Sequence, residues 1–129
     1  MFDTTTAYTR MQIQKLVGGE LQSYLPQKNK RILAGCFNRT YNPDCPEQIQ
    51  AGKAKKVVDK AELLISQPDN VFPVFVKEGK SSRTYSFIGY FRCTGGSNDP
   101  GSLRAAEMRS GRHGALSYVF NLAPVVGEG

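Results

Sequence analysis

Three segments of the chain carry side chains that can stack on, hydrogen-bond to or neutralise another molecule. The first segment holds Asn38, Arg39, Tyr41, Asn42 and Asp44. The second holds the aromatics Tyr85, Phe87 and Tyr90, and the third holds Arg109, Arg112 and His113. An aromatic ring beside a short polar side chain can hold a flat heterocycle by its face and its edge. We expect the three segments to meet at one binding surface, with arginines around it that contact anionic groups.

Residue patterns of common catalytic centres are missing from the sequence. His113 is the only histidine, and its glycine-rich surroundings favour a solvated loop residue over a general base. The sequence has no HExxH, GxSxG or GxxxxGK[ST] pattern. The acidic residues are scattered, whereas two-metal nucleases need clustered carboxylates. We therefore expect no catalytic residue, no metal site and no cofactor in this chain alone.

Length and charge suggest one domain with a polyanionic partner. The 129 residues, of which 40% are hydrophobic and 22% charged, suffice for a single domain over residues 1–129 with a sizeable core. The 17 Lys and Arg against 11 Asp and Glu give a net charge of +6. Such a balance concentrates anions near the surface and favours nucleic acid among possible partners.

The remaining composition favours a cytoplasmic protein without a membrane anchor. No apolar stretch approaches the roughly 18 residues that span a bilayer, and the N-terminus lacks the pattern of a signal peptide. The three cysteines, Cys36, Cys45 and Cys93, form no CxxC pair, so buried reduced thiols are favoured over disulfides or zinc ligands.

Local signals predict the elements that must position these side chains. A capping box at Thr9 and Gln12 starts a helix whose apolar side is Met11, Ile13, Leu16 and Val17, and Gly18 ends it. A strand is predicted over 31–37, a long amphipathic helix over 53–66, a short helix over 102–108 and a last strand over 115–122 closed by Pro124. The lysines of the long helix (Lys53, Lys55, Lys56 and Lys60) are expected on its solvated face.

Residues 71–93 predict a β-hairpin. An apolar run over 71–76 is followed by a polar turn and then by Tyr85, Phe87, Gly89, Phe91 and Cys93 at every second position. This alternation predicts a strand with one buried face, on which Phe87 and Phe91 pack and Tyr85 is either core or pocket. Gly89 indicates a bend or a close approach to the backbone.

Together these elements predict an α+β fold: a small, curved, mixed or antiparallel, barrel-like sheet with helices packed outside. Within the polar segment, Asn42, Pro43 and Asp44 have a second interpretation, because they form a good turn on their own.

Several motifs carry a family resemblance. They are Gly18-Gly19-Glu20-Leu21-Gln22-Ser23-Tyr24-Leu25-Pro26, Ala34-Gly35-Cys36-Phe37, Asn42-Pro43-Asp44-Cys45-Pro46, Pro73-Val74-Phe75-Val76 and the strand from Tyr85 to Arg92. With this order the chain resembles the YDG/SRA-like domains of the PUA-like superfamily, over roughly residues 9–122. Those domains often precede HNH-type nuclease domains in restriction enzymes. This chain has no Trp where relatives commonly begin the aromatic strand, and Tyr85 takes that place.

The resemblance implies a sheet that flips one nucleotide from duplex DNA and inspects it, with a modified cytosine as the expected base. It implies Tyr41, Asn42, Asp44 and Tyr85 as the base pocket and Arg39, Arg83, Arg109 and Arg112 as backbone contacts. An HNH-type nuclease domain or subunit is an expected partner. An RNA-binding PUA-like module and a protein-interaction or inhibitor domain remain alternative functions, and the sequence predicts no oligomeric state.

Overall fold

The computed structural model of the protein describes residues 2–126, which form a mixed sheet and three helices. In chain order the elements are β1 (Ala7–Tyr8), α1 (Arg10–Val17), β2 (Gln27–Lys28), β3 (Arg31–Ile32), β4 (Gly35–Asn38), β5 (Gln48–Gly52), α2 (Lys55–Ile65), β6 (Phe72–Lys77), β7 (Tyr85–Ser97), α3 (Pro100–Ser110) and β8 (Leu116–Pro124).

The main sheet has the strand order β4-β6-β7-β8-β5, and β1 adds to β7 outside this path. Only β4 and β6 pair in parallel among these strands, and β2 with β3 makes a separate hairpin. The predicted α+β class with a mixed sheet is confirmed. Within the described residues β4 and β5 remain the two ends of the sheet, so it does not close into a barrel.

A bulge at Gly89 determines which side of the sheet each β7 residue faces. Phe75 pairs with Phe87, but Val74 pairs with Gly89, so one residue of β7 has no partner in register. Gly89 has φ 125°, a backbone conformation that residues with a Cβ rarely adopt. The predicted hairpin is confirmed, whereas the prediction that its alternating residues share one face is wrong. The bulge sends Phe87 to one face and Phe91 to the other.

Both faces of the sheet are therefore buried. On one face, Phe91 packs in a cluster with Phe37, Phe72, Leu64 of α2 and Phe120 of β8. On the other, Phe87 packs in a smaller cluster with Tyr8, Ile13 of α1, Cys36 and Phe75. Phe87 and Phe91 are each only 6% exposed, which confirms that they are packing residues. In a third, small cluster, Ala106 of α3 packs against Leu116 and Val119 of β8.

Helix α1 begins as predicted but does not pack as predicted. The Thr9 hydroxyl accepts a hydrogen bond from the Gln12 amide, and the Gln12 side chain accepts one from the Thr9 amide. Gly18 caps the other end. Only Ile13 of the expected apolar side is buried, while Met11 and Leu16 are 62% and 56% exposed. The helix is too short, at eight residues, to present a continuous apolar stripe to the sheet.

Other element boundaries differ from the predictions. The strand expected over 31–37 is interrupted, because β3 pairs in the small hairpin and β4 in the main sheet. Strand β5 lies in a segment for which no element was predicted. Strand β7 continues to Ser97, and β8 continues through Pro124, which pairs with Phe91. None of the helices within residues 2–126 is long and apolar enough to cross a membrane.

Candidate functional site

A cleft lies between the segment 20–24 and the edge of the sheet where β4 ends. It consists of three adjoining cavities that share Gln22 and Tyr24. We name them by a residue peculiar to each: the Tyr85 part, of about 450 Å³, the Tyr41 part, of about 380 Å³, and the Lys56 part, of about 570 Å³. Each has a volume in the usual range of small-molecule pockets.

The wall of the cleft formed by residues 20–25 is fixed to α2. The Lys60 ammonium lies 2.9 Å from a Glu20 carboxylate oxygen and donates to the Ser23 hydroxyl and the Leu25 carbonyl. The Tyr24 hydroxyl donates to the Val57 carbonyl at 2.8 Å. The Lys60 side chain is only 15% exposed, so its assignment to a solvated face is wrong. Its role is to hold one wall of the cleft in place.

This anchoring predicts a pH dependence that Glu20→Gln should reduce. Burial raises the pKa of the Glu20 carboxyl, but the hydrogen bonds from Lys60 and the Gln27 amide outweigh it and hold the pKa at about 2. Because the folded pKa lies below the ordinary 4.5, this carboxylate stabilises the fold fully above pH 4.5 and its contribution is lost as the pH falls towards 2. The contribution is about 1 kcal/mol, because nearly half of the side chain is exposed to solvent.

Denaturant unfolding of wild type and Glu20→Gln between pH 7 and pH 2 measures this contribution. The variant should be less stable at pH 7 and equal to wild type near pH 2. Asp69→Asn, at an exposed position, is the matched control and should show no such convergence. A constant difference across the whole pH range would contradict the assigned ion pair.

The Tyr85 part presents an aromatic ring among positive charges. Tyr85 begins β7 and is half-buried, and the Lys77 ammonium lies 5.6 Å from the centre of its ring. The guanidinium of Arg10 donates through Nη2 to the carbonyls of Glu20, at 2.7 Å, and Ser23, at 3.1 Å. Burial raises the pKa of the Tyr85 hydroxyl and raises that of the Cys36 thiol to about 11. Both groups are therefore neutral at physiological pH.

The Tyr41 part has its aromatic ring between two cations. Tyr41 is 41% exposed, with the Lys80 ammonium 4.9 Å and the Arg112 guanidinium carbon 5.5 Å from its ring centre. Arg112 also donates to the carbonyls of Tyr41 and Gln50, both at 3.3 Å. Partial burial lowers the pKa of Arg112, and the guanidinium remains charged. The expected meeting of the first and third segments is confirmed by these contacts.

Asn42 and Asp44, the two polar residues expected in the base pocket, have internal partners. Asn42 is 7% exposed; its amide group donates to the Asn38 carbonyl and its oxygen accepts from the Gln50 amide at 2.8 Å. The Asp44 carboxylate is paired with Arg109 Nε at 2.5 Å, outside the lining of the cleft. The four predicted pocket residues therefore line no single cavity: Tyr85 lies in one part and Tyr41 and Asn42 in another. Their roles in binding stay predictions.

The four arginines predicted to contact a nucleic-acid backbone lie in different surroundings. Arg39 is paired with Glu78 at 3.0 Å and donates to the Cys45 carbonyl. Arg109 binds Asp44 and the Gln48 side chain. Arg112 lines the cleft, and Arg83 is exposed in the turn before β7. Phosphate binding by these four residues stays a prediction, and Arg112 has the most direct access to the cleft.

The fold and the cleft can be compared with those of known proteins. No protein-family model and no curated protein matches the sequence. A solved structure of the SUVH5 SRA domain in complex with hemi-methylated CG DNA matches with a TM-score of 0.68 and 17% identity, over 100% of this chain and 91% of that chain. The SUVH5 SRA domain with fully methylated CG DNA matches with a TM-score of 0.61 and 15% identity, over 100% and 90%.

The chain has the SRA fold. The predicted resemblance to SRA-like domains is confirmed at the level of the fold.

On this SRA fold the cleft contains residues that sequence reasoning missed. Arg10 was assigned only to a helix, and Lys77 only to the end of an apolar strand. They approach Tyr85 because α1 and the ends of β4 and β6 lie at one edge of the sheet. The sequence shows only that Arg10 stands at the start of a predicted helix and that Lys77 follows an apolar run. Many basic surface residues have such positions, so neither residue was indicated as part of a site. Within residues 2–126, no group of three or more His, Cys, Asp or Glu side chains is arranged to hold a metal ion.

Proposed function

We propose that this chain is a non-catalytic DNA-binding domain that recognises a modified, cytosine-derived base flipped from the duplex into the cleft. The observation that carries the proposal is the Tyr85 ring, half-buried in a basic cavity that is large enough to hold a base, on an SRA fold. The SRA domains to which the chain is similar were solved in complexes with methylated CG DNA. A nuclease activity, if coupled to this reader, would belong to a separate domain or subunit, for which an HNH type is expected.

The Tyr85 part offers both contacts that an extruded base requires. The Tyr85 ring supplies a face for stacking, and the side chains of Gln22, Ser23 and Asn38 line the same cavity with donors and acceptors for the base edge. Stacking on an aromatic ring contributes about 1–3 kcal/mol per base. The base would therefore be held by its face at β7 and by its edge at the segment 20–24 and β4.

The rest of the cleft offers contacts for the sugar-phosphate backbone. Exposed Lys53 and Lys56 lie along the Tyr41 and Lys56 parts, and Arg112 and Lys80 flank Tyr41. Cations of this kind neutralise phosphates without reading sequence. We infer that the DNA backbone runs past Tyr41 and the start of α2 while the base enters the Tyr85 part.

Binding should weaken steeply with salt. Each phosphate that a Lys or Arg neutralises releases counterions, so log affinity should fall against log salt with a slope of about −0.9 per contact. Arg112→Gln should reduce the slope by about one contact and weaken modified and unmodified duplexes alike. Lys28→Gln, in the small hairpin and outside the cleft lining, is the matched control and should leave the slope unchanged.

Fluorescence anisotropy with modified duplex, unmodified duplex and single-stranded RNA between about 50 and 200 mM salt tests the proposal. Preference for the modified duplex supports it. Preference for single-stranded RNA would replace it with an RNA-binding function, and affinity that ignores salt for all three probes would replace it with a protein-interaction function.

A further inference from the structure

We propose that the Tyr85 part selects a pyrimidine whose 5-substituent carries oxygen acceptors, such as hydroxymethyl or carboxyl, over one that carries methyl. The inference rests on the proposed function and specifies its substrate class. Its basis is the set of polar side chains that line this cavity, which is rich in hydrogen-bond donors.

Arg10 contributes a buried donor without a partner. Its Nη2 donates to two carbonyls, whereas Nη1 is shielded from solvent and has no hydrogen-bond partner among residues 2–126. A buried donor of a charged group that remains unpaired is costly, and a ligand oxygen that accepts from it removes this cost. Arg10 lines the Tyr85 part, so a rotation of its guanidinium that brings Nη1 to the cavity surface would let a base in this cavity supply the oxygen.

The charge of the cavity has one sign. Its ten lining residues include the cations Arg10 and Lys77 and no Asp or Glu. The Arg10 guanidinium partly offsets the effect of burial on the pKa values of Cys36 and Tyr85. In a partly buried site a positive potential of this kind favours an anionic or strongly accepting group.

A methyl substituent meets neither condition. It offers no lone pair to Arg10 and no charge to Lys77, so Lys77 would lose hydration without a replacement partner and Arg10 Nη1 would stay unpaired. A carboxylate can accept from both, and a hydroxymethyl can accept from one. The expected order of affinity is therefore carboxyl, hydroxymethyl, methyl and then unmodified cytosine, with at least about tenfold between carboxyl and methyl because hydrogen bonds to charged groups are the stronger kind.

The test compares four duplexes that differ at one base: cytosine, 5-methylcytosine, 5-hydroxymethylcytosine and 5-carboxylcytosine. Dissociation constants are measured for wild type, Arg10→Gln, Lys77→Gln and the control Arg92→Gln, which is exposed on β7 outside the cleft. Arg10→Gln and Lys77→Gln should each lower the affinity for the carboxyl duplex more than that for the methylated duplex, and so reduce the preference for carboxyl over methyl by about fivefold or more. Arg92→Gln should keep the full preference.

The outcomes separate the inference from the proposed function. Binding of the methylated duplex as tightly as the oxygenated ones, and more tightly than cytosine, would overturn the inference and leave the proposed function standing. Equal binding of all four duplexes would overturn both. Should Arg10→Gln fail to fold because its two carbonyl contacts are lost, Lys77→Gln still decides the result: an unchanged preference for carboxyl would overturn the assignment.

Discussion

Tyr85→Ala should abolish most of the preference for a modified duplex while the protein remains folded. Removal of the ring takes away about 1–3 kcal/mol of base stacking, a factor of about 5 to 150 in affinity. Affinity for an unmodified duplex should fall far less, because backbone contacts at Arg112, Lys53 and Lys56 remain. Competition binding with matched duplexes measures the ratio directly.

Two variants control this experiment. Tyr85→Phe keeps the stacking face and should retain most of the preference. Tyr90→Ala removes a ring from the same strand that is 37% exposed and lies outside the cleft, so discrimination should persist. A folded Tyr85→Ala protein with full discrimination would show that the base binds elsewhere. Tyr41, whose ring lies between Lys80 and Arg112, would then be the next candidate.

Phe75→Ala should lower the free energy of unfolding by about 3–5 kcal/mol, the usual cost of deleting a fully buried aromatic side chain. Phe75 is 0% exposed. The centre of its ring lies 5.1 Å from the ring centre of Phe2, 5.7 Å from that of Tyr8 and 5.5 Å from that of Phe87. Tyr8 and Phe87 belong to strands of the sheet, which limits how far they can move to fill the space. Denaturant unfolding measures the loss.

The control for this prediction is Val71→Ala, just before β6, where the side chain is 44% exposed. Its effect should stay within about 0.5 kcal/mol, as for ordinary surface positions. Tyr85 packs at the edge of the Phe75 cluster, so Phe75→Ala should also weaken discrimination between duplexes. A loss below about 1 kcal/mol would contradict the description of this second core.

Elements with local signals were predictable from the sequence. The Thr9 and Gln12 capping box depends on residues three apart, and both reciprocal hydrogen bonds form. The hairpin of β6 and β7 follows from an apolar run, a polar turn and an alternating run, all within about two dozen residues. The α+β class follows from the order of such elements.

Features that depend on distant contacts were not predictable. The helical pattern alone places the Lys60 side chain on the solvated face of its helix. In the structure its ammonium group contacts Glu20, Ser23 and Leu25, which lie some 35 to 40 residues earlier in the sequence. The sequence suggested that Asn42 forms a turn or contacts a base. Its oxygen instead accepts from the Gln50 amide, which belongs to a strand that no pattern indicated. Arg10 and Lys77 become neighbours of Tyr85 only because the sheet brings α1 and two strand ends together.

The bulge at Gly89 is what allows Tyr85 to line the cleft while Phe91 packs in the main core. Side chains before it and after it face opposite sides of the sheet, because one extra residue shifts the parity of the strand. Loss of the bulge with no change in the number of residues would restore strict alternation and put residues 85, 87 and 91 on one face. Either Tyr85 would leave the cleft or Phe91 would leave the main core. Any reshaping of the cleft by evolution or design must therefore keep the bulge, or remove one residue of β7 together with it.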